Sequence, residues 1–149
     1  MTTMLKPTSI VANREKSTLT ITWEDGHVST YSFSLLRHAC PCAECAGGHE
    51  NMRHDPDPVV FFLPEIEGKR AQIRTIEAVG NYGLNIIWED GHRYGIYNWD
   101  YLRKICPCEA CQREREAKGL VPDEETLARE IERRMAPPKP QKIEIEFTL

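Results

Sequence analysis

The sequence lacks three features that would place a chain in a common functional class. Lys and Arg total 19 against 23 Asp and Glu in 149 residues, and the resulting net charge of -4 is opposite to that of a typical nucleic-acid-binding domain. No apolar run approaches the roughly 18 residues of a membrane span. The first eleven residues do not join a charged segment to an apolar one, so we expect no secretory signal and a cytoplasmic protein. We therefore predict no nucleic-acid or membrane partner.

Cysteine is absent from the chain outside two short segments. All six cysteines lie in segments of the form C-P-C-x-x-C, which contain Cys40, Cys42 and Cys45, and Cys106, Cys108 and Cys111. In a reducing cytosol, thiols are more often metal ligands or redox groups than partners in structural disulfides. Cysteines retained only for packing would not share this spacing, so the pattern predicts metal or redox chemistry.

The similarity between the two cysteine segments continues upstream. The pentapeptide W-E-D-G-H occurs at residues 23–27 and again at 88–92, and in both copies a tyrosine and a Leu-Arg pair follow it. The offset between the copies grows from 65 residues at the tryptophans to 66 at the cysteines, so the second copy carries one extra residue. We interpret the pattern as an internal duplication, with repeats at about 8–45 and 73–111.

Each repeat has the pattern of a β-hairpin followed by a short helix. Alternating apolar residues and threonines indicate a half-buried strand, and E-D-G supplies the turn that leads into a returning strand. The predicted hairpin strands are 18–23 and 27–31 in the first repeat, and 83–88 and 92–97 in the second. A short helix follows at 34–38 and at 99–104, the second with Asn98 as its N-cap. Additional strands at 8–13 and 73–79 complete an α+β fold.

The remaining segments extend this fold. The connection at 46–64 is predicted to be a loop anchored by the apolar run 59–63, and neither repeat has enough apolar residues for its own core, so we expect one shared core. A helical extension is predicted over 112–135, with a helix at 112–118 and a second one from Pro122 and Asp123 that carries Leu127, Ile131 and Met135 on one face. A Pro-rich linker and a terminal strand fill 136–149. That strand needs a sheet edge in its own domain or in another copy of the chain.

The cysteines allow three chemical interpretations. Zinc is favoured, since C-x-x-C is a common zinc spacing and structural sites often use three cysteines and a histidine. An iron–sulfur cluster remains possible because thiolates also bind these clusters. A redox dithiol is disfavoured, because that motif normally opens a helix in a βαβ unit, whereas here it follows antiparallel hairpins.

The residues alone leave the fourth ligand open among five histidines: His27, His38, His49, His54 and His92. His27 and His92 are equivalent in the two repeats, as a duplicated ligand would be. His38 is expected to face solvent. The H-E-x-x-H zinc protease pattern is not met, because His49 and His54 are one residue too far apart.

Several motifs resemble the gamma-butyrobetaine hydroxylase-like N-terminal domain. They are V-G-N-Y at 79–82, W-E-D-G-H at 88–92, G-I-Y-N-W-D-Y-L at 95–102, and Leu-Arg at 36–37 followed by the first cysteine segment. The resemblance covers roughly residues 8–111. No H-x-D followed by a distant histidine is present to form the iron site of an oxygenase, so hydroxylase activity is not expected.

The resemblance implies a structural zinc bound by Cys40, Cys42, Cys45 and His92, a site that joins the two repeats. The duplication extends this expectation to a second site formed by Cys106, Cys108, Cys111 and His27. We therefore expect two zinc ions per chain, in a module that binds a protein partner or a second copy of itself and has no catalysis of its own. A domain of this kind also resembles one found in ATPases that handle iron–sulfur clusters, which keeps an iron–sulfur function as the alternative and a dithiol redox protein as the third.

Overall fold

The computed structural model describes residues 5–42, 56–93 and 95–135 and has the expected α+β fold. Over these ranges, β-strands form two three-stranded antiparallel sheets, each in sequential order. The first sheet consists of β1 (Pro7–Asn13), β2 (Thr18–Trp23) and β3 (Val28–Ser32). The second consists of β4 (Ile73–Val79), β5 (Gly83–Trp88) and β6 (Ile96–Asn98). Cys45, the predicted linker and the predicted terminal strand lie outside the described residues.

A short helix follows each sheet. The helices are α1 (Phe33–His38), α2 (Trp99–Lys104), α3 (Glu109–Ala117) and α4 (Glu124–Met135). Short 3-10 helices at Pro58–Phe61 and Gly68–Ala71 lie in the connection between the sheets. No helix in the described ranges is long and apolar enough to cross a membrane.

Two features of the sequence explain the hairpins: side chains that alternate between buried and half-buried along the strands, and glycines in the turns. Leu19 and Ile21 are fully buried, whereas the threonines between them are half-buried, so β2 presents one face to the core. Gly26 and Gly91 adopt φ values of +86° and +94° in the two E-D-G turns, a conformation that favours glycine. The second returning strand begins at Ile96, four residues later than predicted, where it pairs with Asn85 of β5.

The short helices begin at capping side chains. Ser32 accepts a hydrogen bond from the backbone N–H of Leu35, and Asn98 accepts one from Tyr101. The prediction for α2 and its cap is confirmed, and α1 begins one residue earlier than predicted. Helix α3 begins three residues earlier than predicted, because the Cys108 thiol caps it by accepting the N–H of Cys111.

One cluster of buried side chains joins the two sheets, as the composition led us to expect. Trp23 and Leu19 from the first sheet belong to it together with Trp88 and Leu84 from the second. Val59 and Val60 of the connection also belong to this cluster. The predicted anchor of the connection is therefore a 3-10 helix, and its apolar side chains contribute to the shared core.

Helix α4 packs against the same core from outside. Leu127 contacts the core, and Arg134 donates a 2.8 Å hydrogen bond to the carbonyl of His38 at the end of α1. Glu130 pairs with Arg134 at 2.9 Å. The predicted apolar face of this helix, Leu127, Ile131 and Met135, is half-buried.

Candidate metal centres

The four predicted ligands of the second site come together in the structure. The Nε2 atom of His27 lies 3.3 Å from the Sγ atom of Cys106 and 3.6 Å from those of Cys108 and Cys111. All four donor atoms are within 4.8 Å of one another. We call this group the second centre.

Three predicted ligands of the first site also come together. The Nε2 atom of His92 lies 3.4 Å from the Sγ atoms of both Cys40 and Cys42. These donors, too, are within 4.8 Å of one another. The fourth predicted ligand, Cys45, lies outside the described residues. We call this group the first centre.

Each centre combines a histidine from one half with cysteines from the other, and an ion pair holds the two parts together. At the second centre, Asp25 accepts the backbone N–H of His27 at 3.2 Å and both terminal nitrogens of Arg103, at 3.1 and 2.9 Å. Arg103 belongs to α2, three residues before Cys106. The turn that carries the histidine is thereby fixed to the helix that leads into the cysteine segment.

The first centre has the same arrangement with the halves exchanged. Asp90 accepts the backbone N–H of His92 at 3.2 Å and both terminal nitrogens of Arg37, each at 3.0 Å. Arg37 belongs to α1, three residues before Cys40. Paired bonds of this kind fix the orientation of both groups as well as their separation.

The arginines of these ion pairs also stack on the repeated tryptophans. The guanidinium of Arg103 lies 5.6 Å from the ring centre of Trp23, and that of Arg37 lies 5.5 Å from that of Trp88. The Arg103 hydrogen bonds hold the pKa of Asp25 down at about 2. Burial acts to raise the pKa of Asp90, but bonds from Arg37 and the His92 backbone lower it overall.

The donor sets fit a zinc ion in chemistry and spacing. Zinc binds thiolate sulfur at about 2.3 Å and imidazole nitrogen at about 2.0–2.1 Å, so the nitrogen–sulfur edge of a tetrahedral site is about 3.6 Å. The observed separations are 3.3–3.6 Å at the second centre and 3.4 Å at the first. Three thiols and an imidazole are also ligands that zinc prefers.

A scan against protein families supports the resemblance noted in the sequence. The model of the family described as gamma-butyrobetaine hydroxylase-like, N-terminal, matches residues 10–103, more than half of the chain. The chain belongs to this family.

Among curated proteins, the family domain is similar to part of a dioxygenase. It is 30% identical over 87 residues to a gamma-butyrobetaine dioxygenase from Pseudomonas sp. strain AK-1. The matched region is 58% of this chain and 21% of that enzyme. The chain therefore spans about a fifth of the length of this relative.

Solved structures include similar folds. One solution structure determined by NMR has a TM-score of 0.56 at 23% identity and covers 100% of this chain and 99% of its own. A second has a TM-score of 0.50 at 25% identity, with 82% and 94% covered. A crystal structure of a protein of unknown function from Acidithiobacillus ferrooxidans, in the DUF971 family, has a TM-score of 0.48 at 28% identity, with 67% and 91% covered.

In this family member, the thiols of the second centre influence one another strongly. Burial, together with the neighbouring thiols of Cys108 and Cys106, raises the pKa of Cys111 to about 12. Burial acts in the same direction on Cys108, but hydrogen bonds from the Cys111 backbone and from neighbouring thiols lower its pKa overall. Thiolates this close together repel one another, and a bound divalent ion would offset that repulsion.

The two centres differ in the residue that packs beside the cysteines. A Cβ atom on Gly95 would lie 2.6 Å from the Sγ atom of Cys40, so only glycine fits against the first centre. The first repeat has Ser29 at the corresponding position, fully buried, where it accepts a 2.9 Å hydrogen bond from the indole of Trp23. The sequence did not indicate this role for Gly95.

The three remaining histidines are candidate ligands in the sequence, and the structure describes one of them, His38. The prediction that His38 faces solvent is wrong: it is 7% exposed, and its Nε2 donates to the carbonyl of Pro64 at 2.9 Å. Burial lowers the pKa of His38, which keeps the ring neutral. His49 and His54 lie outside the described residues.

Sequence reasoning missed the ion pairs that position the histidines, although a signal was present. Asp25 and Asp90 belong to the repeated W-E-D-G-H, and Arg37 and Arg103 belong to the repeated Leu-Arg pair. A carboxylate and a guanidinium that both recur at fixed offsets from a ligand could have been paired across the repeats.

Proposed function

We propose that this protein is a small zinc-binding module in which two metal centres join two duplicated halves, and that it serves as a structural or protein-interaction domain. The observation that carries the proposal is the reciprocal placement of His27 and His92 on the cysteine segments of the opposite halves, with nitrogen–sulfur distances of 3.3–3.6 Å. Separations of this size suit one tetrahedral ion per centre.

A structural role follows from the number of protein donors. His27 and three cysteines supply four donors at the second centre, so a tetrahedral zinc there has no position left for water or a substrate. Cys45 would complete the first centre in the same way. A closed site of this kind stabilises the fold and performs no hydrolysis, and we accordingly propose a protein without catalysis of its own.

The partner we propose is another protein or a second copy of this chain. The net charge of -4 disfavours nucleic acid. Strand β1 lies at a sheet edge, and its Ile10 and Val11 are 37% and 57% exposed. An edge strand with exposed apolar side chains offers backbone groups and surface to a strand of a partner.

Metal content and colour, measured on protein purified without oxygen, test the metal. We expect two zinc ions per chain and a colourless solution. A brown protein with absorbance near about 400 nm would show that the chain binds an iron–sulfur cluster instead of zinc. A metal-free protein that cycles between dithiol and disulfide at Cys108 and Cys111 would favour the redox alternative.

Two histidine variants test the crossed arrangement. His27→Ala and His92→Ala should each retain one zinc per chain, because each removes a ligand from a different centre. Glu24→Ala and Glu89→Ala are matched controls in the same two turns and should retain both ions. Two zinc ions retained in both histidine variants would contradict the assignment of these ligands.

A further inference from the structure

Arg115 is a buried cation beside the second centre. It lies on α3, four residues after Cys111, and is only 9% exposed. Its guanidinium lies 3.7 Å from the ring centre of Phe61, which belongs to the connection between the halves. Arg115 and Cys111 both line a cavity of about 560 Å³.

The hydrogen bonds of Arg115 reach both ends of the cysteine segment. Its Nη1 donates to the carbonyl of Cys106 at 2.8 Å and, more weakly, to that of Lys104 at 3.4 Å. Its Nη2 donates to the side-chain oxygen of Gln112 at 2.8 Å. The planar guanidinium of Arg115, a rigid fork of two donor nitrogens, thus connects Cys106, the first cysteine of the segment, to Gln112, the residue directly after the last.

Packing alone does not explain an arginine at this position. In the described part of the chain, the hydrogen-bond acceptors of Arg115 are uncharged oxygens, and its Nε is buried without a hydrogen-bond partner. A buried donor without a partner is destabilising, and an apolar side chain of similar length on Phe61 would avoid that cost. Three thiolates and a neutral imidazole around Zn²⁺ leave one net negative charge, which a nearby guanidinium offsets.

We propose that Arg115 is a positioning residue of the second centre: it fixes Cys106 relative to Cys111 and supplies the charge that balances the thiolates. The inference rests on the proposed zinc function. It is confined to the second centre, because the corresponding position of the first repeat is His49. Groups that orient metal ligands from outside typically change metal affinity by about 10- to 100-fold when they are removed.

The test is the rate of zinc release to a colorimetric chelator, measured on the full-length chain loaded with two zinc ions. Arg115→Met should release one of the two ions about 10- to 100-fold faster and leave the other unchanged. Arg115→Lys keeps the charge without the fork and should show a smaller acceleration. Arg113→Met is the matched control, since Arg113 is exposed on the same helix and should leave both rates unchanged.

A milder variant keeps the test decisive if Arg115→Met does not fold. Gln112→Ala removes one acceptor of the fork and should accelerate release of one ion in the same direction. The Co²⁺-substituted protein gives a second measurement: the absorption bands of one of its two sites should shift in Arg115→Met.

The outcomes separate this inference from the proposed function. Wild-type protein that binds no zinc would remove the proposed function itself. Wild-type protein with two zinc ions, together with variants that release both at wild-type rates, would overturn the role of Arg115 alone. Equal acceleration of both ions with a fall in melting temperature would also overturn it, because that result indicates general destabilisation.

Discussion

The two halves of the molecule contact each other through equivalent residues, but the residues that pack beside the cysteines differ between them. In each half, the repeated aspartate and histidine contact the other half. The repeated tyrosine does so too: the hydroxyl of Tyr31 donates a hydrogen bond to the carbonyl of Leu102, and that of Tyr97 donates one to the carbonyl of Leu36. The differences lie beside the cysteines, where Ser29 corresponds to Gly95 and where Arg115 supports one centre. The contacts that join the halves are therefore made by residues that recur in both repeats.

This distinction has a physical cause. Each contact between equivalent halves occurs twice, once in each direction. The same residue types must therefore be present in both halves, as in the ion pairs Asp25–Arg103 and Asp90–Arg37. A residue that packs within one half has no such constraint and can adapt to its neighbours. The comparison can be tested by changing equivalent residues in pairs.

The largest expected effect comes from the repeated tryptophans. Trp23→Ala and Trp88→Ala should each lower the free energy of unfolding by about 3–5 kcal/mol, because both side chains are 1% exposed. Trp23→Ala should cost at least about 1 kcal/mol more, since it also leaves the buried hydroxyl of Ser29 without its indole donor. Urea unfolding measures both values, and Trp23→Phe serves if the alanine variant does not fold. An equal or smaller cost at Trp23 would contradict the difference.

A second comparison concerns the residue beside each centre. Gly95→Ala should lower stability by about 1–3 kcal/mol and lose one zinc ion, since its Cβ would lie 2.6 Å from the Cys40 sulfur. Ser29→Ala removes a hydroxyl without adding an atom and should keep both ions. Metal analysis and thermal melting check both variants. Gly95→Ala with two ions at wild-type stability would show that the first centre tolerates the added atom.

A third comparison tests the tyrosines that join the halves. Tyr31→Phe and Tyr97→Phe should each cost about 1 kcal/mol, because each removes one buried hydrogen bond. Burial raises the pKa of Tyr31, so its contribution is full below about pH 10 and is lost as the pH rises further. Wild-type protein should therefore lose stability above that pH more steeply than Tyr31→Phe. Parallel pH profiles of the two proteins would exclude this contribution.

The smallest expected effect comes from the ion pairs. The pKa of Asp25 is lowered to about 2 and that of Asp90 is also lowered, so their contributions are present above about pH 4 and are lost as the pH falls toward 2. Asp90→Asn should cost up to about 1 kcal/mol at neutral pH, since this pair is partly exposed to solvent. Between pH 5 and about 2, the melting temperature should fall less steeply with decreasing pH in Asp25→Asn and in Asp90→Asn than in wild type. An unchanged slope in both variants would show that the pairs do not contribute.

Much of the fold could be predicted from local pattern. Alternation of apolar residues and threonines located β2, and Asn98 located the start of α2, because strand period and helix capping are properties of neighbouring residues. The start of α3 could not be predicted, because a cysteine thiol acts as its cap. The burial of His38 was missed since its partner, Pro64, is distant in sequence.

By itself, the sequence determined the recurrence of W-E-D-G-H, the spacing of the cysteines and the family to which the chain belongs, because each is a pattern along the chain. The family resemblance and the repeat also led us to pair His92 and His27 with the opposite cysteine segments. Only the tertiary structure decided how closely these donors approach, and that Gly95 and Arg115 lie beside them. Such contacts depend on where the sheets and helices pack in space, and no local rule relates Arg115 to Phe61 or Gly95 to Cys40.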